Sequence, residues 1–433
     1  MKMAIVGGTG YVGLCTAVGF AAKGHEVFCV GRDKNKIEGL KKGHVPIYEP
    51  GVAEWLKRNA GSGNFVPTDS IEQAVKNSDV TFICVGTPSK KDGGIELKDV
   101  REVSRNIGGI LNKIGRYHVV IVKSTVVPGT TEGTVIPELE KCSGKAAGRD
   151  FGVAMNPEFL REGKALEDFL NPDRIVIGEL DKKSGDAVAS LYDKFTAPIV
   201  RTDLKTAEMT KYASNAFLAT KISFINEIGN MCKILGIDVY DVSAGIGLDK
   251  RIGPKFLDAG IGYGGSCFPK DVAAIIAKAK GIGYEPRLLE SVENVNRGQR
   301  KRAFDLLKKR LGSLGGKKVA ILGLSFKPDT DDIREAPSID IIRMLLEEGA
   351  VVSAYDPQAS GNMKAVYPDA EYAEDIASAL RNADACLLLT EWDEFRRLDE
   401  SDFSGMRGRL IIEGRRVLRK ESFKGFSVEG ICW

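Results

Sequence analysis

Residues 2–30 read KMAIVGGTGYVGLCTAVGFAAKGHEVFCV. The apolar run at 2–7 runs at once into glycines and is read as a strand. Gly8, Gly10 and Gly13 follow with the spacing G-x-G-x-x-G, then a helical stretch (LCTAVGFAAKG), then a second apolar run, EVFCV, at 26–30. In such a strand–turn–helix–strand unit, backbone N–H groups and a helix N-terminus converge where they can hold a pyrophosphate. The spacing alone is weak. With 49 glycines in the chain, about 0.6 matches arise by chance, and a second match stands at Gly260, Gly262 and Gly265. Only the first follows a strand and opens a helix; its bland alternative is a tight turn.

Outward from this unit the alternation continues. Runs at 79–85 (DVTFICV), 118–123 (HVVIVK), 151–155 (FGVAM) and 175–178 (IVIG) read as further strands. Their pattern implies a parallel sheet with right-handed crossovers up to about residue 200. Residues 204–235 then lack proline, contain one glycine and repeat apolar positions every three or four residues. They are predicted to form one helix on the order of 45 Å long. A Gly-rich stretch at 245–266 precedes helices expected at 271–280 and about 286–311, the latter with Pro286 in its first turn. After Gly312 strands recur at 317–323, 350–356, 383–389 and 409–414. The expected fold is α/β: two doubly wound, Rossmann-like domains joined by a long central helix and a helical middle domain. The expected divisions are 1–200, 201–312 and 313–433.

Composition narrows the function classes. The 433 residues fit two to three domains. A hydrophobic share of 43% and a charged share of 28% suit a globular protein. A net charge of +3 argues against a nucleic-acid binder. No apolar run approaches the roughly 18 residues of a membrane helix, and the N-terminus reads as a strand and not as a signal peptide. The eight cysteines are too sparse for a disulfide scaffold, form no zinc-type pair and fit a reducing cytoplasm. Three scattered histidines, His25, His44 and His118, leave little from which to build a zinc site or a Ser-His-Asp triad. No metal is expected.

Four stretches carry candidate chemistry. Cys267 lies in a polar, Gly-rich loop (GGSCFPKD, 264–271) before a helix, where amides and Lys270 can favour a thiolate. Asp271 at the helix start is either part of that chemistry or an N-cap. Lys211 and Asn215 share a helix face, which is otherwise a solvated stripe. The segments NPEFLR (156–161) and KSTVVPG (123–129) follow strand ends, where ligands bind in parallel sheets, though each also reads as a Pro-containing turn.

Taken in order, GTGYVG (8–13), PIYEPGV (46–52), VGTPS (85–89), KSTVVPGT (123–130), NPEFLREG (156–163), PDRIVIG (172–178), KYASNAFLATKISFINE (211–227), GYGGSCFPKD (262–271), SFKPDTDDIREAPS (325–338) and EGRRVL (413–418) strongly resemble the UDP-glucose/GDP-mannose dehydrogenase family over essentially the whole chain. Ser266 before the cysteine and Gly163 after NPEFLRE are most similar to its UDP-glucose branch. UDP-galactose and GDP-mannose stand as alternatives, as do a 3-hydroxyacid dehydrogenase and a non-catalytic nucleotide-sugar-binding protein. The resemblance implies a four-electron oxidation of a primary alcohol at C6 to a carboxylate with two nicotinamide cofactors. Lys211 would supply a cation and Asn215 a hydrogen bond. Asp271, with a water near Thr125, would be the base. Cys267 would form the thiohemiacetal and thioester, and Glu158 would assist hydrolysis. It implies cofactor contacts at Gly8, Gly10, Tyr11, Val12, Gly13, Thr87, Thr125 and Lys270. Sugar-nucleotide contacts fall at Glu158, Phe159, Leu160, Lys211, Asn215, Phe256, Gly264, Lys327 and Arg415 or Arg416, and at Arg251 across a subunit interface. A homodimer or larger assembly through helix 204–235 is implied.

The chain departs from the family after its second strand. Relatives resemble V-D-I-D where this chain has Val30-Gly31-Arg32-Asp33. The missing carboxylate, the room expected at Gly31, and the cations Arg32 and Lys34 predict NADP in place of NAD. In the alternative register Asp33 binds the ribose and NAD is used.

Overall fold

Runs rich in β-branched residues form strands because such side chains pack well on a pleated surface. The computed structural model describes residues 1–59 and 63–433, and the chain divides into two compact units, Met1–Ser214 and Asn215–Trp433.

Among the described residues, the first unit contains strands β1 (Lys2–Val6), β2 (Glu26–Val30), β3 (Phe65–Thr68), β4 (Val80–Ile83), β5 (Val119–Val122), β6 (Gly152–Met155), β7 (Ile175–Glu179) and β8 (Ile199–Thr202). They form one sheet in the order β3-β2-β1-β4-β5-β6-β7-β8. The first six strands have the order 3-2-1-4-5-6 of a dinucleotide fold, and the order reverses between β1 and β4, where ligands bind. β1, β4, β5 and β6 are apolar and buried almost throughout, as a sheet covered on both faces demands. The helix Tyr11–Ala22 packs on this core through Phe20, whose ring lies 5.4 Å from Phe82 and 4.9 Å from Phe169.

The second unit holds β9 (Lys318–Leu322), β10 (Val351–Tyr355), β11 (Glu371–Tyr372), β12 (Ala385–Leu388), β13 (Leu410–Glu413) and β14 (Ser427–Gly430). These pair in parallel in the order β11-β10-β9-β12-β13-β14, again 3-2-1-4-5-6. Helices Val239–Gly247, Phe268–Gly281 and Arg287–Leu311 precede this sheet.

The long helix runs Leu204–Leu235, as its spacing predicts, or about 48 Å at 1.5 Å per residue. Ala207, Ala219 and Ile225 are buried on one side of it. Phe217, Phe224 and Met231, seven residues apart, are exposed.

The structure departs from expectation in three places. β6 and β7 pair antiparallel, so the first sheet is mixed. β3, β8, β11 and β14 were not anticipated. All stand at sheet edges and are only partly buried, so they lack a continuous apolar run. The helix expected from 271 begins at Phe268, with Pro269 in its first turn, where a proline removes no helical hydrogen bond.

Candidate active site

The turn after β1 is fastened to β2: the amides of Gly7 and Gly8 both donate to Val30 O, at 3.1 and 2.8 Å. Gly10 takes the N-cap position of helix Tyr11–Ala22 without a side-chain cap, and no acidic residue stands in the first turn. The amides of Tyr11, Val12 and Gly13 therefore have no acceptor within the helix, as in helix N-termini that bind anions. A Cβ at Gly13 would lie 2.2 Å from Gly7 O, so helix and turn approach this closely only with glycine there. These residues fit a pyrophosphate. The phenol of Tyr11 accepts from Gly163 N (2.7 Å), which Glu49 Oε2 also engages at 2.7 Å.

At the end of β2 a Cβ on Gly31 would stand 2.3 Å from Thr9 Cγ2, so the Thr9 side chain fills the space that a side chain at 31 would take. The Asp33 carboxylate accepts from Asn35 N and Lys36 N as the cap of helix Lys34–Lys41, so it is engaged by its own helix. Arg32 Nη2 lies 3.1 Å from Asp99 Oδ2, and Nη1 lies 3.8 Å from Glu102 Oε2. Lys34 is exposed.

The ends of β4 and β5 are tied by Thr87 Oγ1 donating to Thr125 O (2.8 Å) and by Ser124 Oγ donating to Val85 O (2.6 Å). Lys123 is buried and donates to Asn156 Oδ1 at 3.0 Å; Tyr192 OH donates to the same oxygen, and Asn156 Nδ2 donates to Val176 O. Burial brings the Lys123 ammonium down to about 8. Glu158, two residues beyond Asn156, accepts from Leu160 N at 2.6 Å and pairs with Lys211 at 2.9 Å. Burial alone would raise the Glu158 carboxyl, but the Lys211 ammonium and the Leu160 amide bring it below its ordinary value. The Phe159 ring is covered by the Arg174 guanidinium at 3.9 Å, with the Lys211 ammonium 5.4 Å away.

In the second unit Asp271 is buried, accepts from Asn215 Nδ2 at 2.6 Å and pairs with Lys270 at 2.6 Å. It is not the cap: Cys267 holds the N-cap position of helix Phe268–Gly281, and Asp271 N donates to Cys267 O. Cys267 is half-buried, with Ser266 Oγ 3.6 Å from its sulfur. By contrast, burial pushes the thiols of Cys15 and Cys84 up to about 12. The loop before Cys267 is held on several sides. Tyr263 exchanges two hydrogen bonds with the Asn296 side chain, and Gly265 N donates to Arg334 O. A Cβ at Gly264 would lie 2.3 Å from Glu335 O. Phe256 and Tyr263 pack at 6.3 and 5.9 Å from Phe268.

The two neighbouring arginines after β13 part company. Arg415 donates to Gly262 O at 2.6 Å and pairs with Glu391, so it joins the cysteine loop. Arg416 goes to Asp238 and stacks on Tyr240. Lys327 stands 5.6 Å over Phe326. Arg251 pairs with Asp249 of its own chain, and its side chain is 89% exposed.

Sequence reasoning missed three residues. Glu208, one turn before Lys211, accepts from Gly129 N, Thr131 N and Thr131 Oγ1, which fastens the segment after Thr125. Lys123 is the second, inside the candidate stretch 123–129 but given no role of its own there. Asp356, at the end of β10, accepts from the amides of Leu324, Ser325, Gln358 and Ala359 and from Trp392 Nε1. It seals the turn after β9, the counterpart of the glycine turn after β1. An aspartate just after a second strand was the available signal.

Among the described residues no group of three or more His, Cys, Asp or Glu is placed to hold a metal, and no helix is long and apolar enough to cross a membrane.

The glycine turn at the β1/β4 switch point has the form that holds a dinucleotide. Comparison with known proteins makes this specific. The descriptions of the UDP-glucose/GDP-mannose dehydrogenase NAD binding, central and UDP binding domains match residues 1–196, 205–298 and 320–420. The chain is 47% identical to UDP-glucose 6-dehydrogenase AglM of Haloferax volcanii, over 97% of this chain and 98% of that protein. It is 44% identical to UDP-glucose 6-dehydrogenase TuaD of Bacillus subtilis, over 98% and 91%. The solved UDP-glucose dehydrogenase of Pyrobaculum islandicum superposes with a TM-score of 0.94 at 42% identity, covering 100% of this chain and 98% of that one. The chain belongs to the UDP-glucose/GDP-mannose dehydrogenase family.

Proposed function

We propose that this protein oxidises the C6 alcohol of UDP-glucose to the carboxylate of the UDP-uronate, with two nicotinamide cofactors per sugar and covalent capture at Cys267. The observation that carries the reading is Cys267 at the head of a helix whose first turn brings in buried Asp271, held by Asn215 and Lys270. The substrate assignment draws on the names of the relatives.

A nicotinamide dinucleotide held by the turn of Gly8, Gly10 and Gly13 would supply the hydride acceptor in each of two rounds. The rest falls to the chain. Asp271 takes the hydroxyl proton, and Lys211 and Asn215 stabilise the developing alkoxide. The Cys267 sulfur adds to the aldehyde carbon, giving a thiohemiacetal whose remaining C–H supplies the second hydride. Water then cleaves the thioester, with Glu158 assisting, and returns the thiol. In balance, the alcohol, two oxidised cofactors and one water give the carboxylate, two reduced cofactors and three protons.

In this reading residues 1–200 bind the cofactor, 201–312 form the helical middle, and 313–433 bind the sugar nucleotide through Lys327 and Arg415. Arg251, solvent-exposed within its own chain, contacts the sugar of a partner subunit. Exposed Phe217, Phe224 and Met231 on helix Leu204–Leu235 form the contact between subunits. The unbridged cysteines suit a reducing cytoplasm. The preferred cofactor is NADP: the Asp33 carboxylate is engaged in capping, and the cation after β2 is Arg32.

The test is a panel of UDP- and GDP-sugars crossed with NAD and NADP. UDP-glucose should reduce two cofactors per sugar and yield the acid. An absence of cofactor reduction with every UDP-sugar would overturn the reading.

A further inference from the structure

We propose that Asp99 and Glu102 set the balance between phosphorylated and unphosphorylated cofactor by competing for the Arg32 guanidinium. This rests on the reading that Arg32 meets the adenosine ribose, and it adds the residues that decide how far that contact goes.

Arg32 directly follows the turn after β2 and is 68% exposed. It faces no carboxylate from its own segment, since Asp33 caps the next helix. The acids it meets come from elsewhere in the unit. Asp99 and Glu102 lie three residues apart in the first turns of helix Lys98–Leu111, hence on one face. Their oxygens stand 3.1 and 3.8 Å from the two terminal nitrogens of the guanidinium. Those are the positions from which a phosphate would be bound in bidentate fashion. The carboxylates therefore occupy, from within the chain, the place a 2′-phosphate would take.

Two consequences follow from charge alone. Arg32 and Lys34 are matched in number by Asp99 and Glu102, so the acids moderate the attraction for a phosphate dianion and removing one strengthens it. An unphosphorylated ribose carries a hydroxyl that can donate to Asp99, so the same acid favours the other cofactor. One carboxylate thus acts on the ratio from both ends. Exposed pairs of this kind exchange partners readily and weaken with salt, so the device biases choice without closing either route.

The experiment measures binding of adenosine 2′,5′-bisphosphate and 5′-AMP by calorimetry at low ionic strength, alongside kcat/KM for NADP and NAD. Wild type is compared with Asp99→Asn, Glu102→Gln, Arg32→Ala and the Asp99→Asn/Arg32→Ala double variant. Asp99→Asn should raise the preference for the bisphosphate about fivefold to tenfold, and Glu102→Gln should raise it less, in keeping with its longer distance. Arg32→Ala should lower the preference and abolish the effect of Asp99→Asn. An unchanged ratio in both acid variants, with Arg32→Ala still lowering it, overturns the competition and leaves the Arg32 contact standing. No change with Arg32→Ala overturns both.

Discussion

The Lys211 ammonium lies 2.9 Å from Glu158 Oε1, and the two side chains are 3% and 5% exposed. In a buried pair of this kind each charge offsets much of the cost of burying the other.

Glu158→Gln should therefore destabilise the fold by about 3–5 kcal/mol, because it removes the carboxylate charge 2.9 Å from a buried ammonium. Adding Lys211→Met should recover part of that loss; denaturant midpoints of the single and double variants decide. The pH sign is fixed as well. The folded Glu158 value lies below the ordinary one, so its stabilisation is present above about 4.3 and disappears as pH falls through the lower folded value. Wild type should lose more stability than Glu158→Gln in that acid range.

Lys123 has the opposite sign. Burial lowers its ammonium to about 8, so between about 8 and 10.4 the unfolded chain binds more protons and this group's contribution rises with pH. The stability of Lys123→Met relative to wild type should then be more favourable at pH 7.5 than at pH 10.5, by up to about 3 kcal/mol. Equal differences at the two pH values would exclude titration of Lys123 in this window.

Replacing Cys267 by Ser should reduce formation of the acid by at least a thousandfold while UDP-glucose still binds. Rapid-mixing absorbance and calorimetry separate the two. Retention of near-normal acid formation would remove the thiol from the mechanism.

Arg415 and Arg416 should behave differently despite adjacency. Arg415→Ala should raise KM for the sugar nucleotide about tenfold or more, since Arg415 reaches the Gly262 carbonyl of the cysteine loop. Arg416→Ala, which frees Asp238 and Tyr240 instead, should change KM less than threefold. Equal effects would show that the Gly262 contact does not mark the substrate side.

The apolar stripe on the long helix gives a solution prediction. Phe217→Glu with Phe224→Glu should shift sedimentation towards the monomer, with little loss of helix signal. An unchanged sedimentation profile would mean that this stripe is not the subunit contact.

The parts of the fold legible in sequence were those where one physical demand dominates. Proline-free 3.6-residue spacing announced helix Leu204–Leu235 to its ends, and uniform apolarity announced β1, β4, β5 and β6. Edge strands such as β3, which contains Pro67, carry no such run, and the antiparallel turn of β7 is invisible because composition has no direction. The glycine cradle was legible through its context. The crowding of Gly31 by Thr9, 22 positions away in the chain, required coordinates. Asp271 was legible as important, yet its partners Asn215 and Lys270 and the helix start at Phe268 required coordinates.

Asp356 has a consequence for timing. By engaging the turn after β9 it leaves the chain, among its described residues, with a single cradle for a dinucleotide. The proposed reaction removes two hydrides, so the carriers must visit one berth in succession. Between visits the sugar would wait half-oxidised, at the level of an aldehyde that water could carry off. In the proposed scheme a carbon–sulfur bond holds it through the changeover. On that reading the order of events follows from which of two similar sheets keeps its helix-opening glycines.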